Sequence, residues 1–255
     1  MGIIRNGTIR NGTIGSFSPK AYNAGVWYDA SNFASLRDGL NATNNVSQWN
    51  DLGTLNKPIT QGIALRQPIY SPTSFNGRPG VTFDKTNLTS LFNSAMGGTF
   101  VSDPTLTGVI TVYLVFRSSE NGSRLHIVDT GNTFIRNGYE IGTSITTGLP
   151  HMGITSTTKK YESSIAWPLS TNTYIVLIWD GNETKVYNNG TLVDTVSTLP
   201  TTATNARIGI CLGAVYNGTF DFASAVIAEH FALPTALNEA NRQRMDQYIE
   251  RKWGL

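Results

Sequence analysis

The sequence predicts an all-β protein: an antiparallel sandwich closed by one C-terminal α-helix and preceded by an extended N-terminal arm. Charged residues make up only 14% of the 255 residues, and polarity comes from Thr, Ser, Asn and Gly, a mixture typical of strands joined by tight turns. The runs Val109–Phe116 and Tyr174–Trp179 are apolar on both alternating faces, which indicates strands held between two layers. A helical period replaces the strand pattern only after residue 237.

The clearest local signal is a hairpin centred on Asn189-Gly190. This dipeptide is typical of a type I′ turn, in which both central residues need a positive φ. The turn predicts three cross-strand pairs: Tyr187 with Leu192, Lys185 with Asp194, and Val186 with Val193. A second turn at Asp180-Gly181 joins this hairpin to the preceding run, so we expect a three-stranded meander.

The end of the chain predicts a strand and then a helix. Val226–Phe231 is a further apolar run, and Asn238 followed by Glu239 is a favourable helix start. We expect an apolar stripe to pack against the sandwich; its members are Met245, Tyr248, Ile249 and Trp253. The opposite, polar face is expected to be solvated; it carries Arg242, Asp246 and Glu250. Gly254 can end the helix, after Arg251 and Lys252 in its last turn.

Residues 1–20 stand apart from the sandwich predicted for residues 21–255. The segment Arg5–Ile9 is repeated at once as Arg10–Ile14, and two repeats of five residues cannot bury a core of their own. One interpretation is a flexible terminus. The other is a docking arm, because isoleucines gain nothing in a solvated tail; its candidate contact residues are Ile3, Ile4, Arg5, Ile9, Arg10 and Ile14.

Composition disfavours several classes of partner. The net charge is +2 without a long basic run, so we expect no nucleic-acid binding. No stretch reaches about 18 apolar residues, so no membrane-spanning helix is predicted. The single cysteine, Cys211, lies in a predicted strand at 206–212 and allows no internal disulfide. No secretory signal is recognised at the N-terminus, and we expect a protein made outside the export pathway.

No cofactor or metal is predicted. The segments 129–132 and 180–183 offer oxygen donors, but calcium requires six to eight oxygens, and ordinary turns explain these residues better.

Several blocks resemble the concanavalin A-like lectin/glucanase domains, the laminin-G-like group found in bacteriophage virion and bacterial surface proteins. They occur in the expected order over about residues 24–255; the blocks are 27–31, 46–51, 67–68, 76–84, the hairpin at 184–194, and 227–229 with 248–255. The resemblance implies a jelly-roll connectivity. It says less about activity, since this fold serves lectins, hydrolases and structural modules.

Glucanases of this fold carry paired carboxylates in a Glu-x-Asp-x-x-Glu arrangement, which this sequence lacks. Glu229 is the acid most deeply placed in a predicted strand, and we expect it to pair with an arginine or a backbone group. None of His126, His151 and His230 lies in a nucleophile-elbow context. We therefore expect no enzymatic activity.

Sugar recognition needs an exposed aromatic side chain flanked by hydrogen-bonding groups. Three aromatic residues in loop-like segments are candidates for glycan binding: Tyr161, Trp167 and Tyr216. The alternative for each is a place in the core or over a sheet edge.

These expectations combine into a non-enzymatic bacteriophage virion protein, serving as capsid decoration, head fibre or tail adhesin and displaying a domain that binds cell-surface glycans. It would be assembled in the host cytoplasm, dock on other virion proteins through its arm, form a homo-oligomer and become extracellular on release. The first alternative is a bacterial extracellular carbohydrate-binding module. The second is a glycoside hydrolase.

Overall fold

Sixteen β-strands and one α-helix occupy the described part of the chain. The computed structural model describes residues 17–38, 44–93, 109–120, 126–129, 138–143, 150–155, 169–196, 210–214, 218 and 221–255. The strands are β1 (Val26–Asp29), β2 (Leu36–Asp38), β3 (Val46–Trp49), β4 (Ile59–Thr60), β5 (Ile69–Phe75), β6 (Arg78–Phe83), β7 (Leu91–Asn93), β8 (Ile110–Ser118), β9 (His126–Asp129), β10 (Gly138–Thr143), β11 (Pro150–Thr155), β12 (Thr173–Trp179), β13 (Thr184–Asn188), β14 (Thr191–Val196), β15 (Ile210–Leu212) and β16 (Ala225–Leu233). The helix α1 is Glu239–Trp253.

The strands form two antiparallel sheets of eight strands each. The first sheet has the order β14-β13-β12-β8-β16-β6-β5, with β1 also paired to β16, and the second has the order β11-β10-β9-β15-β7-β4-β3-β2. The predicted all-β class with a C-terminal helix is confirmed. Jelly-roll connectivity stays a prediction.

Strand β16 is central to the first sheet. One side pairs with β8 along its length, while the other pairs with β6 through its first residues and with β1 through its last. A β-bulge at Ala228 separates the two halves, and the Ala228 carbonyl accepts a hydrogen bond from Ala30 N. Because a bulge re-aims the residues that follow it, it sets the orientation of Glu229, which lies opposite Asp29 of β1.

The core between the sheets is apolar and contains a buried histidine. Tyr28 of β1 meets Trp49 of the second sheet edge to face, with ring centroids 6.0 Å apart, and stacks on His230 at 6.2 Å. All three side chains are fully buried. Alternation along β1 therefore sends Tyr28 into this core, and its neighbours Trp27 and Asp29 to the opposite face.

The predicted meander of β12, β13 and β14 is confirmed, with one error in register. Asn189 and Gly190 both have positive φ, and Tyr187 pairs with Leu192. The expected pairing of Lys185 with Asp194 and Val186 with Val193 is wrong, because a β-bulge shifts the register by one residue: Val186 lies opposite Asp194, and Lys185 opposite Thr195. The ammonium of Lys185 instead lies 3.1 Å from the Glu183 carboxylate.

Helix α1 covers the outer face of the first sheet. Asn238 caps it as predicted, since its side chain accepts a hydrogen bond from Asn241 N, and Gly254 ends it in the left-handed conformation. Met245, Ile249 and Trp253 are fully buried, which confirms the apolar stripe.

The expectation of a solvated polar face on this helix is wrong. Arg242 and Asp246 form a buried ion pair, and the Tyr113 hydroxyl donates to Asp246 at 2.9 Å. Glu250 accepts a hydrogen bond from the Tyr174 hydroxyl at 3.0 Å. Burial raises the pKa of Asp246 to about 6, against the opposing effect of Arg242. The helix presents a broad, partly polar face because the sheet beneath it offers tyrosine hydroxyls as partners.

Residues 1–16 of the predicted arm lie outside the described residues, so its docking role stays a prediction. The described part that follows them packs on the sandwich: Phe17 meets Tyr22 edge to face at 5.2 Å, and a 3-10 turn forms at Pro19–Tyr22. Within the described residues, no helix has the length and apolar character needed to cross a membrane.

The Arg242–Asp246 pair gives a first test. We expect Arg242→Ala to lower the free energy of unfolding by about 3 kcal/mol, because it leaves a buried carboxylate without its counter-ion. Chemical denaturation at neutral pH measures this loss, with Arg244→Ala as the control, since Arg244 is exposed on the same helix. A loss below about 1 kcal/mol, as for a surface ion pair, would contradict the assignment.

Candidate functional site

Two places in the described structure combine features of a functional site. One is a buried cluster of acidic, basic and aromatic side chains between the first sheet and α1. The other is an exposed aromatic pair at the edge of the sandwich.

The buried cluster is centred on Glu229, whose side chain is fully buried. Its Oε1 accepts hydrogen bonds from Trp27 Nε1 at 2.7 Å and the Tyr248 hydroxyl at 2.9 Å, and its Oε2 accepts one from Trp253 Nε1 at 2.7 Å. The ammonium of Lys252 lies 3.0 Å from Oε2. Burial raises the pKa of Glu229, while the adjacent Lys252 acts in the opposite direction.

Asp29 lies beside Glu229 on the neighbouring strand and shares Lys252 with it. The Lys252 ammonium is 2.7 Å from Asp29 Oδ2, and the other oxygen, Oδ1, accepts hydrogen bonds from the backbone N–H and the hydroxyl of Ser31 at 2.9 and 2.6 Å. The expectation that Glu229 pairs with an arginine or a backbone group is wrong. Its partners come from the side chains of β1 and α1, which the pairing of β1 with β16 brings together.

Two carboxyl groups on adjacent strands superficially resemble the acid pair of a glycoside hydrolase. Retaining hydrolysis needs such a pair flanking an accessible sugar. Here Glu229 is fully buried and the Asp29 side chain only 7% exposed, with α1 lying over them. Each carboxylate oxygen already has at least one protein donor.

The exposed aromatic pair consists of Phe33 and Tyr70. Phe33 lies in a 3-10 turn (Phe33–Ser35) just before β2 and is 64% exposed; its ring centroid is 5.4 Å from that of Tyr70 in β5. β2 and β5 are the last strands of their sheets. An isolated bridge between Asn45 and Ile69 joins the two edges beside the pair.

Polar groups flank the aromatic pair. Asn32 precedes Phe33, and the carbonyl of Asn44, a residue with an exposed side chain, accepts a hydrogen bond from Tyr70 N at 2.8 Å. Ile69, at 49% exposure, extends the apolar surface. An exposed ring with a phenol beside it offers apolar contact and hydrogen bonding together, which a sugar requires.

The sequence-predicted glycan-binding residues Tyr161, Trp167 and Tyr216 all lie outside the described residues, and so do the arm residues Ile3, Ile4, Arg5, Ile9, Arg10 and Ile14. Those assignments stay predictions. Sequence reasoning missed Phe33 and Tyr70. An available signal was the position of Phe33 directly after the turn-forming residues Ser31 and Asn32.

The ranges the structure describes contain no group of three or more His, Cys, Asp or Glu side chains placed to hold a metal ion. His230 is stacked in the core between the sheets, where its Nδ1 lies 2.9 Å from the Tyr113 carbonyl oxygen. Its place in this apolar layer makes it part of the packing.

Burial lowers the pKa of His230 to about 4, from 6.5. Between about pH 4 and 6.5 the folded state therefore binds fewer protons than the unfolded state. The stabilisation is fully present above pH 6.5 and is lost as the pH falls to about 4. We expect His230 to lower the free energy of unfolding by up to about 3 kcal/mol over this interval. Chemical denaturation as a function of pH, compared with His230→Gln, measures this contribution.

Asp246 acts with the opposite sign, because its raised pKa makes the folded state bind more protons than the unfolded state between about 4 and 6. Asp246→Asn is therefore the matched control. Without the raised pKa of Asp246, the free energy of unfolding should fall more steeply as the pH is lowered. An unchanged pH dependence in His230→Gln would contradict the assignment for His230.

Comparison with solved structures identifies the fold. The binding domain of botulinum neurotoxin serotype G has a TM-score of 0.62 at 12% identity, over 90% of this chain and 51% of that chain. A structure described as "Cell entry of botulinum neurotoxin type C is dependent upon interaction with two ganglioside molecules" has a TM-score of 0.55 at 12% identity, over 90% and 52%. A Trypanosoma rangeli sialidase in complex with 2,3-difluorosialic acid, as its covalent intermediate, has a TM-score of 0.56 at 9% identity, over 90% and 33%.

This chain thus spans about half of the two toxin structures and a third of the sialidase. At these identities the likeness establishes a β-sandwich fold. No family model matches the sequence, and no curated protein does.

Proposed function

We propose that this chain is a non-enzymatic, carbohydrate-binding β-sandwich displayed on the surface of a bacteriophage particle, where it serves as capsid decoration, head fibre or tail adhesin. The exposed Phe33–Tyr70 pair carries the binding part of this proposal. The tandem arm at residues 5–14 motivates the attachment part.

Binding at the Phe33–Tyr70 pair is supported by its position and chemistry. The ring of Phe33 is 64% exposed although the fold buries most of its other aromatic side chains among the described residues. Its apolar face suits the C–H face of a pyranose, while the phenol of Tyr70, whose ring lies 5.4 Å from that of Phe33, supplies a hydrogen-bonding group beside it. Two structural neighbours add support, since their descriptions name gangliosides and a sialic acid derivative.

We propose that the protein is non-enzymatic because its pair of adjacent acidic side chains is closed off from solvent. Glu229 and Asp29 are buried beneath α1, and their oxygens are engaged by Lys252, Ser31 and aromatic donors. A hydrolase would have to move the whole helix to expose them, with loss of the packing of Trp253.

Glycan arrays with the purified chain test the binding site. We expect selective binding that Phe33→Ala weakens about tenfold, equivalent to ~1.4 kcal/mol, because a large exposed contact surface is removed. Leu192→Ala is the control, since Leu192 is an apolar residue that is 49% exposed on the β13–β14 hairpin, at the opposite edge of the first sheet from Tyr70.

Other outcomes separate the alternatives. Binding that is unaffected by Phe33→Ala would place the glycan site elsewhere and contradict the role of this pair. Release of reducing sugars that Glu229→Gln abolishes would instead identify a glycoside hydrolase. Strong glycan binding by a protein absent from virus particles would favour the bacterial extracellular carbohydrate-binding module.

Purified virus particles test whether the chain is attached to them through its arm. We expect mass spectrometry of purified virions to detect the chain, as a homo-oligomer held to other virion proteins. Deletion of residues 1–16 should remove it from particles while the far-ultraviolet circular dichroism of the isolated sandwich stays unchanged. Particles that retain the shortened chain at full occupancy would contradict a docking role for the arm.

A further inference from the structure

Lys252 is placed for bond formation as well as for ion pairing. Its Nζ lies 2.7 Å from Oδ2 of Asp29 and 3.0 Å from Oε2 of Glu229. Three aromatic rings surround it, with Nζ 5.9, 5.2 and 5.1 Å from the ring centroids of Trp27, Tyr248 and Trp253. A lysine nitrogen, a carboxyl carbon and a second carboxyl group thus share a largely water-excluded site.

The charges in this cluster favour proton transfer. One ammonium between two carboxylates leaves a net charge of −1 when all three groups are ionised, and a buried net charge is costly. One added proton makes the cluster neutral. Burial raises the pKa of Glu229, so this group can hold a proton taken from the lysine.

The second oxygen of Asp29 is prepared for negative charge. Both donors of Ser31, its backbone N–H and its hydroxyl, point at Oδ1 at 2.9 and 2.6 Å. Donors fixed in this way stabilise the charge that develops on an acyl oxygen when a nucleophile adds to its carbon.

We propose that Lys252 and Asp29 join in an intramolecular amide bond, formed without any other protein, with Glu229 accepting the proton of the lysine. The bond would link β1 covalently to α1.

The reaction is a condensation that releases one water molecule. Condensation requires Asp29 as the free acid and Nζ as the neutral amine. In the reacting species the Lys252 ammonium has given a proton to Glu229, and Oδ2 of Asp29 carries the proton that neutralises the cluster. The amine attacks Cγ of Asp29, and negative charge moves to Oδ1 against the Ser31 donors. A proton then passes from Nζ to Oδ2, the Cγ–Oδ2 bond breaks, water leaves, and the carbonyl at Oδ1 re-forms. Glu229 ends protonated, so atoms and charge balance without an oxidant or reductant.

Other described lysine–carboxylate contacts lack these features. The Lys85–Glu120 and Lys185–Glu183 pairs are exposed, with lysine side chains at 47% and 40% against 18% for Lys252. Water solvates those ammonium groups, which lie outside any buried cluster of charged side chains. They serve as internal controls.

Intact mass spectrometry of the full chain under denaturing conditions tests the proposal, because denaturation separates ion pairs and leaves amide bonds intact. We expect the wild-type chain to be lighter than its sequence mass by one water molecule. Trypsin should release residues 21–37 joined to 252–255, since an acylated lysine is not cleaved. The peptides that carry Lys85 and Glu120 should remain separate.

Variants identify the role of each group. Lys252→Arg keeps the positive charge but lacks the amine, and Asp29→Ala lacks the acyl group, so both should have the full sequence mass. Glu229→Gln should slow bond formation at least tenfold in freshly refolded protein, because the proton acceptor is lost. A wild-type chain at its full sequence mass, with the two peptides separate, would overturn the proposal whatever the variants do. A water loss that maps to Asp180-Gly181 would also overturn it.

Discussion

The burial of one carboxylate, that of Glu229, is the constraint around which the first sheet and the helix are arranged. A fully buried acid is tolerated only if each oxygen has a partner, and Glu229 obtains its partners from Trp27 of β1 and from Tyr248, Lys252 and Trp253 of α1. These donors belong to segments more than 200 residues apart in sequence. The position of the helix on the sheet and the pairing of β1 with β16 therefore depend on one another.

The position of α1 over the outer face of the first sheet also decides where a ligand can bind. Tyrosines from three adjacent strands, Tyr113, Tyr174 and Tyr187, are turned toward the helix, and Arg242 lies 4.1 Å above the ring of Tyr187. This face would otherwise be an aromatic surface open to solvent. With α1 lying on it, this face is closed, whereas the Phe33–Tyr70 pair at the sandwich edge stays accessible.

The sequence predicted the elements whose signals are local. The alternation in β8 and β12, the Asn189-Gly190 turn and the Asn238 cap each depend on a few neighbouring residues, and all three are found. The errors concern one bulge within the hairpin and the long-range structure. A bulge in β14 shifts the partners of Lys185 and Val186, and the tyrosines that bury Arg242 and Asp246 come from strands far away in sequence. Likewise Lys252 could not be assigned to Glu229 without knowing that α1 docks on β16. The local signal for the exposure of Phe33 is limited to its place directly after the turn-forming residues Ser31 and Asn32.

Because β1 pairs with β16, the order in which the two strands are synthesised matters for folding. During translation Val26–Asp29 emerges about 200 residues before the strand beside which it belongs, and contacts of such long range form slowly because a large loop must close first. Until β16 has left the ribosome, the first strand lacks this neighbour, and the indole of Trp27 lacks the carboxylate of Glu229 to which it donates. The nascent chain is therefore exposed to aggregation until β16 emerges, and this protein should depend more on chaperones during that interval than after the two strands have paired.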